Sequence, residues 1–364
     1  MIHIVIGTKA QLIKMAPVMR ELDRRGIRYR YLSTGQHRDT IDDLLANFEL
    51  NPAEARLYDS NDIVSVKSTI YWFLRLFFLA FFKRKKVFGD EVTKNDVVLV
   101  HGDTLSTLVG AIMGRLAGLK VGHVESGLRS FRLFHPFPEE ITRLLVFRLS
   151  HYFFCPDDIS VSNLRKMKGV KINTDGNTLY DALMLALDAR RAQTIIEEGD
   201  DYAIVTLHRY ENFSSASSVA SIVSLLEIAA SQIRLTFVMH KPTIQALKKY
   251  KLYKRLADND NINLIPRMDY FSFISIVEKA EFLISDGGSN QEECFYLGKP
   301  VLLLREASER QEGIGENCVI SRYDPIVVKD FLVSYKTLTR AKHKLSGSPS
   351  SKIVDVCVEH GMAN

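Results

Sequence analysis

Short, fully apolar runs alternate along this chain with longer stretches whose apolar positions recur every three or four residues. HIVIG (3–7), RYRYLSTG (28–35), DVVLVHG (96–102) and VGHVES (121–126) read as strands. QLIKMAPVMRELDRRG (11–26), DTIDDLLANFEL (39–50), TLSTLVGAIMGRLAG (104–118) and PEEITRLLVFRLS (138–150) read as the helices among them. Glycine closes the first and third helices, Asp39 stands near a cap, and Pro138 takes a first helical position. Strands apolar at every position predict a parallel sheet covered on both faces. A second series follows Gly176-Asn177-Thr178: YAIVTLH (202–208), LTFVMH (235–240), INLIP (262–266), AEFLISD (280–286) and PVLLLR (300–305), again with helical patterns between them. The expected fold is therefore α/β, with two Rossmann-like, doubly wound domains facing across a cleft. Residues 1–172 and 173–351 form the expected domains, the boundary falling near Lys171–Asp175, and a helix at 352–364 is expected to pack back onto the first.

Two stretches depart from this rhythm. Ile70–Phe82 (IYWFLRLFFLAFF) is apolar apart from Arg75 and runs into Lys83–Lys86. Its thirteen residues fall short of the roughly 20 that span a bilayer. The expectation is a buried helix with a solvated basic end; the alternative is a weak contact of Ile70–Lys86 with an anionic membrane surface. Ser346–Lys352 is the stretch whose composition suits disorder.

Composition narrows the function classes. At 364 residues the chain suits two domains of roughly 170 residues. Its net charge of +5 (48 basic, 43 acidic) fits an anionic metabolite and is too small to argue for nucleic acid. Cys155, Cys294, Cys318 and Cys357 form no CxxC pair and no zinc-type spacing, which reads as a reduced, cytoplasmic protein without a structural metal. MIHIVIGTK reads as a buried strand and lacks the marks of a signal peptide.

The candidate chemistry gathers at strand ends, where open α/β folds hold ligands. Asp103, Glu125 and Glu139 stand at or just beyond them. Asp103 alone is read equally well as a helix cap, and Glu139 as a first-turn carboxylate; Glu125, before Gly127, has no such structural reason. Converging on one substrate, the three would have their pKa values pushed apart into acids and bases. In ISDGGSNQEECFYLGKP (284–300), Gly287, Gly288 and Ser289 turn the chain into a helix whose exposed N–H groups favour an anion such as a diphosphate. Glu293, one turn on, reads either as a ribose ligand or as a solvated carboxylate. His208 ends a strand beside Arg209 and Glu211, placed to neutralise a phosphate or move a proton. Lys9 and Lys14 read either as a solvated helix face or as cations of a diphosphate clamp.

Taken together, GTKAQLIKMAP, HGDTLST, GHVESGLR, PEEITR, LHRYE, DGGSNQEE, GKPV and ERQE resemble, in order and spacing, the non-hydrolysing UDP-N-acetylglucosamine 2-epimerases. The resemblance covers nearly the whole chain. It implies two Rossmann-like domains as in B-type glycosyltransferases, a UDP-sugar substrate, no metal or nicotinamide, and a homodimer. It also implies an anti elimination of UDP through a 2-acetamidoglucal, followed by re-addition. Asp103, Glu125 and Glu139 match the family's acid–base carboxylates and His208 its essential histidine. The resemblance further places Lys9, Lys14, Arg143 and Arg310 on the substrate, Phe273 on uracil, the Met268 backbone on the base and Glu293 on the ribose.

Departures from the family pattern are Lys9 for arginine, Ala10-Gln11 for Pro-Glu, and Leu207 for glycine. Gly-Gly-Ser also replaces Ser-Gly-Gly at 287–289, and Gln311 replaces proline. All are expected around the nucleotide and its diphosphate, which points to altered phosphate contacts or a modified sugar. The rival readings are a hydrolysing epimerase, a B-type glycosyltransferase, and a non-catalytic UDP-sugar-binding scaffold.

Overall fold

The computed structural model describes residues 1–36, 41–58, 66–82, 87–89, 92–133, 137–189, 201–308 and 310–362. They divide into two compact units, Met1–Leu185 with Leu345–Asn364, and Ala186–Lys344.

The first unit runs β1 (Ile2–Ile6), α1 (Lys9–Arg24), β2 (Tyr29–Ser33), α2 (Ile41–Asn47), β3 (Ala55–Arg56) and α3 (Val66–Phe82). It continues with β4 (Val97–His101), α4 (Leu105–Leu116), β5 (Lys120–Val124), α5 (Glu139–Leu149), β6 (Tyr152–Cys155), α6 (Asp158–Asn163), β7 (Val170–Asn173) and α7 (Leu179–Asp188), whose last residues, from Ala186, belong to the second unit. One seven-stranded sheet results, in the order β3-β2-β1-β4-β5-β6-β7, with parallel pairing throughout. β1 and β4 are buried at every position, as continuous apolar runs require. α4 lies close on this sheet because Gly110 faces it: a Cβ there would stand 2.8 Å from Val100 Cγ1 and 2.9 Å from Val5 Cγ1.

Sequence pattern left β3, β6 and β7 unread. β3 has two residues, β6 is a four-residue aromatic run, and β7 is partly exposed, so none carries a distinct period. With β7 in the first sheet, the first unit extends past residue 172 to Leu185.

α3 departs from the expected buried helix. Trp72 and Leu76 are fully buried with Val98, Leu108 and Met113, and Trp72 Nε1 donates to the Thr34 carbonyl at 2.8 Å. On the other side Ile70, Tyr71, Leu74, Phe77, Phe78, Phe81 and Phe82 are 43–63% exposed. A helix apolar all round has one face toward the core, and here the remaining face meets solvent. The Lys83–Lys86 run lies outside the described residues.

The second unit runs β8 (Tyr202–Thr206), α8 (Tyr210–Phe213), α9 (Ala216–Ala230), β9 (Arg234–Met239), α10 (Lys241–Lys249), α11 (Tyr253–Ala257) and β10 (Ile262–Pro266). Then come α12 (Tyr270–Lys279), β11 (Leu283–Ser285), α13 (Gly288–Leu297), β12 (Val301–Leu303), β13 (Cys318–Ile320) and α14 (Pro325–Leu338). Its six strands are again parallel, in the order β10-β9-β8-β11-β12-β13. Phe237, Phe282 and Phe331 anchor its core.

The chain ends in α15 (Pro349–Glu359), packed on α1 of the first unit. The Ser346–Lys352 stretch, whose composition suits disorder, instead leads into this helix: Ser348 accepts from the Ser351 N–H at 3.1 Å as its cap. Arg25–Asp355 (2.5 Å) and Lys352–Asp175 (2.5 Å) fasten the helix to the unit.

Candidate active site

The carboxyl ends of β1, β4 and β5 bring the first unit's polar residues together. Asp103 follows β4, but it does not cap the next helix. Thr104 does, its hydroxyl accepting from the Thr107 N–H at 3.3 Å. Asp103 Oδ2 instead accepts a hydrogen bond from Arg143 of α5, with its side chain 27% exposed. Glu140, the residue beside Glu139, is fully buried. It accepts from Arg129 Nε at 2.5 Å, and from Arg143 Nη1 and the Ser130 N–H at 3.1 Å each. Burial raises its pKa, yet these donors prevail and hold it below the usual carboxylate range. Glu140 thus takes the structural role in the Glu-Glu pair. Glu139 stands half-buried at the first position of α5, its Oε2 shielded from solvent.

Glu125 is the most closely held acid. Its backbone sits at φ 60°, a left-handed conformation unusual for glutamate. Oε1 accepts from Lys14 Nζ and from Asn177 Nδ2, both at 2.6 Å, while His101 Nε2 lies 3.3 Å from Oε2. Side chains of Lys14, His101 and Glu125 are at most 7% exposed. A non-glycine residue held there by surrounding contacts marks strain of the kind found at functional sites. Lys14, read from sequence either as part of a solvated helix face or as a diphosphate cation, is nearly buried and paired with the Glu125 carboxylate.

Gln11 lies in the turns beneath the acids. Its Oε1 accepts from the Gly7 and Thr8 N–H groups at 3.0 and 3.1 Å. Its Nε2 donates to the His101 carbonyl at 2.8 Å and to Thr107 Oγ1 at 2.9 Å. A carboxylate in its place could not make the last two bonds. His123, wholly buried, contacts the Gly102 carbonyl through Nε2 at 2.7 Å and Ser126 Oγ through Nδ1 at 3.0 Å. Burial depresses its pKa to about 4. The neutral ring donates to Gly102 and accepts from Ser126, which fixes the turn that carries Asp103.

The second unit gathers backbone N–H groups rather than charges. Gly287 precedes α13 without a side-chain cap, leaving the first-turn N–H groups of Gly288, Ser289 and Asn290 directed outward from the helix. The Gly287 N–H donates to Ser285 Oγ at 3.1 Å, and Ser285 donates to Asn290 Oδ1 at 3.0 Å. Asn290 Nδ2 in turn donates to Glu293 at 2.9 Å. Glu293 is only 3% exposed, which excludes the solvated-helix reading. Nearby Tyr270 has its phenol pushed well above 10 by burial, with the Glu293 charge adding to it.

Asp286 is a buried clasp. It accepts from the His208 N–H (3.0 Å), the Arg209 N–H (2.9 Å) and Asn212 Nδ2 (2.8 Å), and lies 3.3 Å from His208 Nδ1. The His208 ring remains 46% exposed, so its position is fixed while one edge stays open. Leu207 is fully buried in the core beneath it. Arg310 pairs with buried Glu292 at 2.5 Å, and Gln291 donates to the carbonyls of Arg310 and Glu312, so Gln291 and Glu292 tie down Arg310–Glu312. Met268 and Phe273, both half-buried, flank the start of α12. Lys9 opens α1, and Gln311 is exposed.

Several site residues were missed from sequence. His240 follows β9 directly, as His208 follows β8 by two residues; its ring centroid is 5.1 Å from that of His208, and its Nε2 lies 3.1 Å from Thr206 Oγ1. The repeated apolar-run-then-His-Lys/Arg pattern was the available signal. His101 lay inside the HGDT block already singled out. Asn177, 52 residues beyond Glu125, had no local signal. Among the described residues, no group of His, Cys, Asp or Glu is placed to hold a metal ion.

A family model described as UDP-N-acetylglucosamine 2-epimerase matches residues 20–345. The chain belongs to this family. A UDP-N-acetylglucosamine 2-epimerase of Neisseria meningitidis is 32% identical over 337 residues, covering 86% of this chain and 85% of the relative. The crystal structure of UDP-GlcNAc 2-epimerase from Neisseria meningitidis bound to UDP-GlcNAc aligns with a TM-score of 0.84 at 27% identity, covering 98% of this chain and 99% of that one. The Methanocaldococcus jannaschii UDP-GlcNAc 2-epimerase, in complex with UDP-GlcNAc and UDP, aligns at 0.82 with 26% identity over 98% and 99% of the two chains. Two parallel, helix-covered sheets are thus the family fold. No helix among the described residues is long and apolar enough to cross a membrane.

Proposed function

We propose that this chain interconverts UDP-N-acetylglucosamine and UDP-N-acetylmannosamine, or a closely related modified pair, by elimination and re-addition of UDP. A carboxylate of the first unit takes the proton from carbon 2. The carbon 1–oxygen bond breaks with its electron pair going to the diphosphate, and a carbon 1–carbon 2 double bond forms. UDP then adds back to carbon 1 while a second acid returns a proton to the opposite face of carbon 2.

The observation that carries this reading is Glu125 in its left-handed conformation, gripped by Lys14 and Asn177 at 2.6 Å. A held carboxylate with fixed donors suits proton transfer from carbon, worth roughly a hundred- to ten-thousand-fold in rate. Asp103 and Glu139 are assigned the remaining acid–base work. On the departing side, the growing negative charge of UDP is assigned to the N–H groups opening α13, to His208 and to the cations Lys9, Arg143 and Arg310. Met268, Phe273 and Glu293 are assigned the uridine. His208 is kept oriented for this by Asp286. Cytoplasmic location and a homodimer belong to the same proposal. Four buried, unpaired thiols support the first, with burial pushing those of Cys155, Cys318 and Cys357 up to about 12. Family resemblance supports the second.

Incubation with UDP-N-acetylglucosamine in heavy water, followed by NMR, tests the reading. Deuterium should enter carbon 2 with UDP still attached. Free labelled sugar plus UDP would identify a hydrolysing enzyme instead, and binding without exchange a scaffold or a different UDP-sugar.

A further inference from the structure

We propose that the outer face of α3 docks on an anionic lipid surface. Leu74, Phe78, Phe81 and Phe82 are 57–63% exposed and recur at helical spacing, so they form one stripe rather than scattered positions. Rings of Phe78 and Phe82 lie 4.4 Å apart, and those of Phe81 and Phe82 4.9 Å, making the C-terminal end of the stripe a continuous aromatic surface. A contiguous exposed apolar patch of this kind, unlike apolar residues scattered singly, marks a site of interaction. Trp72 and Leu76 fix the opposite face to the unit, so the outer face is presented by a firmly seated helix.

Charge decides which occupant this face suits. Residues 66–86 contain six Lys or Arg and no Asp or Glu, with four of the cations following the aromatic end directly in sequence. A second copy pairing through the same stretch would bring only more positive charge. A bilayer surface rich in anionic headgroups supplies the opposite charge and, just below it, an apolar layer for the rings. Phe and Leu are among the residues that helices lying in that boundary turn toward the acyl layer. The helix would lie on the surface and not cross it.

Flotation of the full chain with vesicles tests this. It should bind phosphatidylcholine vesicles containing phosphatidylglycerol, bind those of phosphatidylcholine alone much less, and dissociate as salt rises. Phe78→Glu with Phe82→Glu should lower binding at least about tenfold with the circular dichroism spectrum unchanged, since both rings are on the surface. Lys83→Glu with Lys85→Glu should lower it similarly on anionic vesicles. Failure of the parent chain to bind anionic vesicles would overturn the proposal. So would equal binding by the Phe78→Glu, Phe82→Glu variant, or light scattering that showed this variant breaking a parent dimer without altering flotation, which would assign the face to a second copy.

Discussion

The carboxylate cluster of the first unit and the glycine turn of the second are built on opposite plans. Around Glu125 and Glu140, charge answers charge: Lys14, Arg129 and Arg143 stand within 2.5–3.1 Å of buried or nearly buried acids. Around Gly287, the donors are backbone N–H groups, and the buried acid beside them, Asp286, holds the scaffold rather than facing outward. The difference suits the two tasks of the proposed reaction. Moving a proton on and off carbon needs groups that themselves change charge. Holding a diphosphate needs fixed dipoles that do not.

The sharpest way to break this contrast is to damage one plan and look for an effect on the other. Glu125→Gln should slow deuterium exchange at carbon 2 by roughly a hundred- to ten-thousand-fold. Calorimetry should meanwhile find UDP affinity within about threefold of the parent. A parallel loss of UDP affinity would show that the first unit's acids serve nucleotide binding as well, and the division of labour would fail.

Lys14→Met probes the same cluster through stability. Removing one partner of a buried pair leaves an uncompensated charge and costs about 3–5 kcal/mol. Urea denaturation should show a loss of that order. Combining it with Glu125→Gln should recover a substantial part, because the stranded charge is then gone. If the double variant were as unstable as Lys14→Met, packing of the lysine stem rather than charge would govern the site.

The two plans were also unequally legible in the sequence. Asp103, Glu125 and the Gly287 turn all stood out because each follows an apolar run at a strand end, where the fold itself gives position its meaning. Partners were harder to read. Lys14 lies one helical turn into α1, and only the folded register shows it turned toward Glu125, 111 residues away. Asn177 and His240 reach their places through strand order, β6-β7 and β8-β9, and order in a parallel sheet is a property of tertiary packing. α3 shows the same limit: composition established that it is apolar, but not that the unit covers only one side of it.

Acid sensitivity sharpens the comparison next. His123 supports the Asp103 turn only as a neutral ring, and its folded pKa of about 4 lies below the ordinary 6.5. The unfolded chain therefore binds a proton first as pH falls. The stabilising contribution is whole above 6.5, declines between 6.5 and about 4, and is lost below that. The loss amounts to on the order of 3 kcal/mol. His123→Gln should flatten the dependence of the urea midpoint over that window, and an NMR titration of the His123 ring should find it unprotonated at pH 5. Protonation near 6.5 would contradict the burial on which its positioning role rests.

The smallest effect is expected from the second unit's plan, because backbone donors survive most side-chain changes. Gly287→Ala is the exception: its Cβ would stand 2.7 Å from Asn290 Oδ1 and 3.3 Å from His208 Cε1. The first clash is with the end of a side chain that can turn away, while the histidine ring must shift by a few tenths of an ångström. Alanine itself adopts the extended backbone found there, φ −91° and ψ 130°, so no conformational strain is added. UDP affinity should fall about tenfold, roughly 1.4 kcal/mol, with exchange at saturating substrate within about threefold of the parent. Asn290→Ala in the same chain removes the nearer clash and should return part of the affinity. If it returned none, the loss would come from the displaced His208 ring, placing that histidine rather than the helix N–H groups at the centre of nucleotide binding.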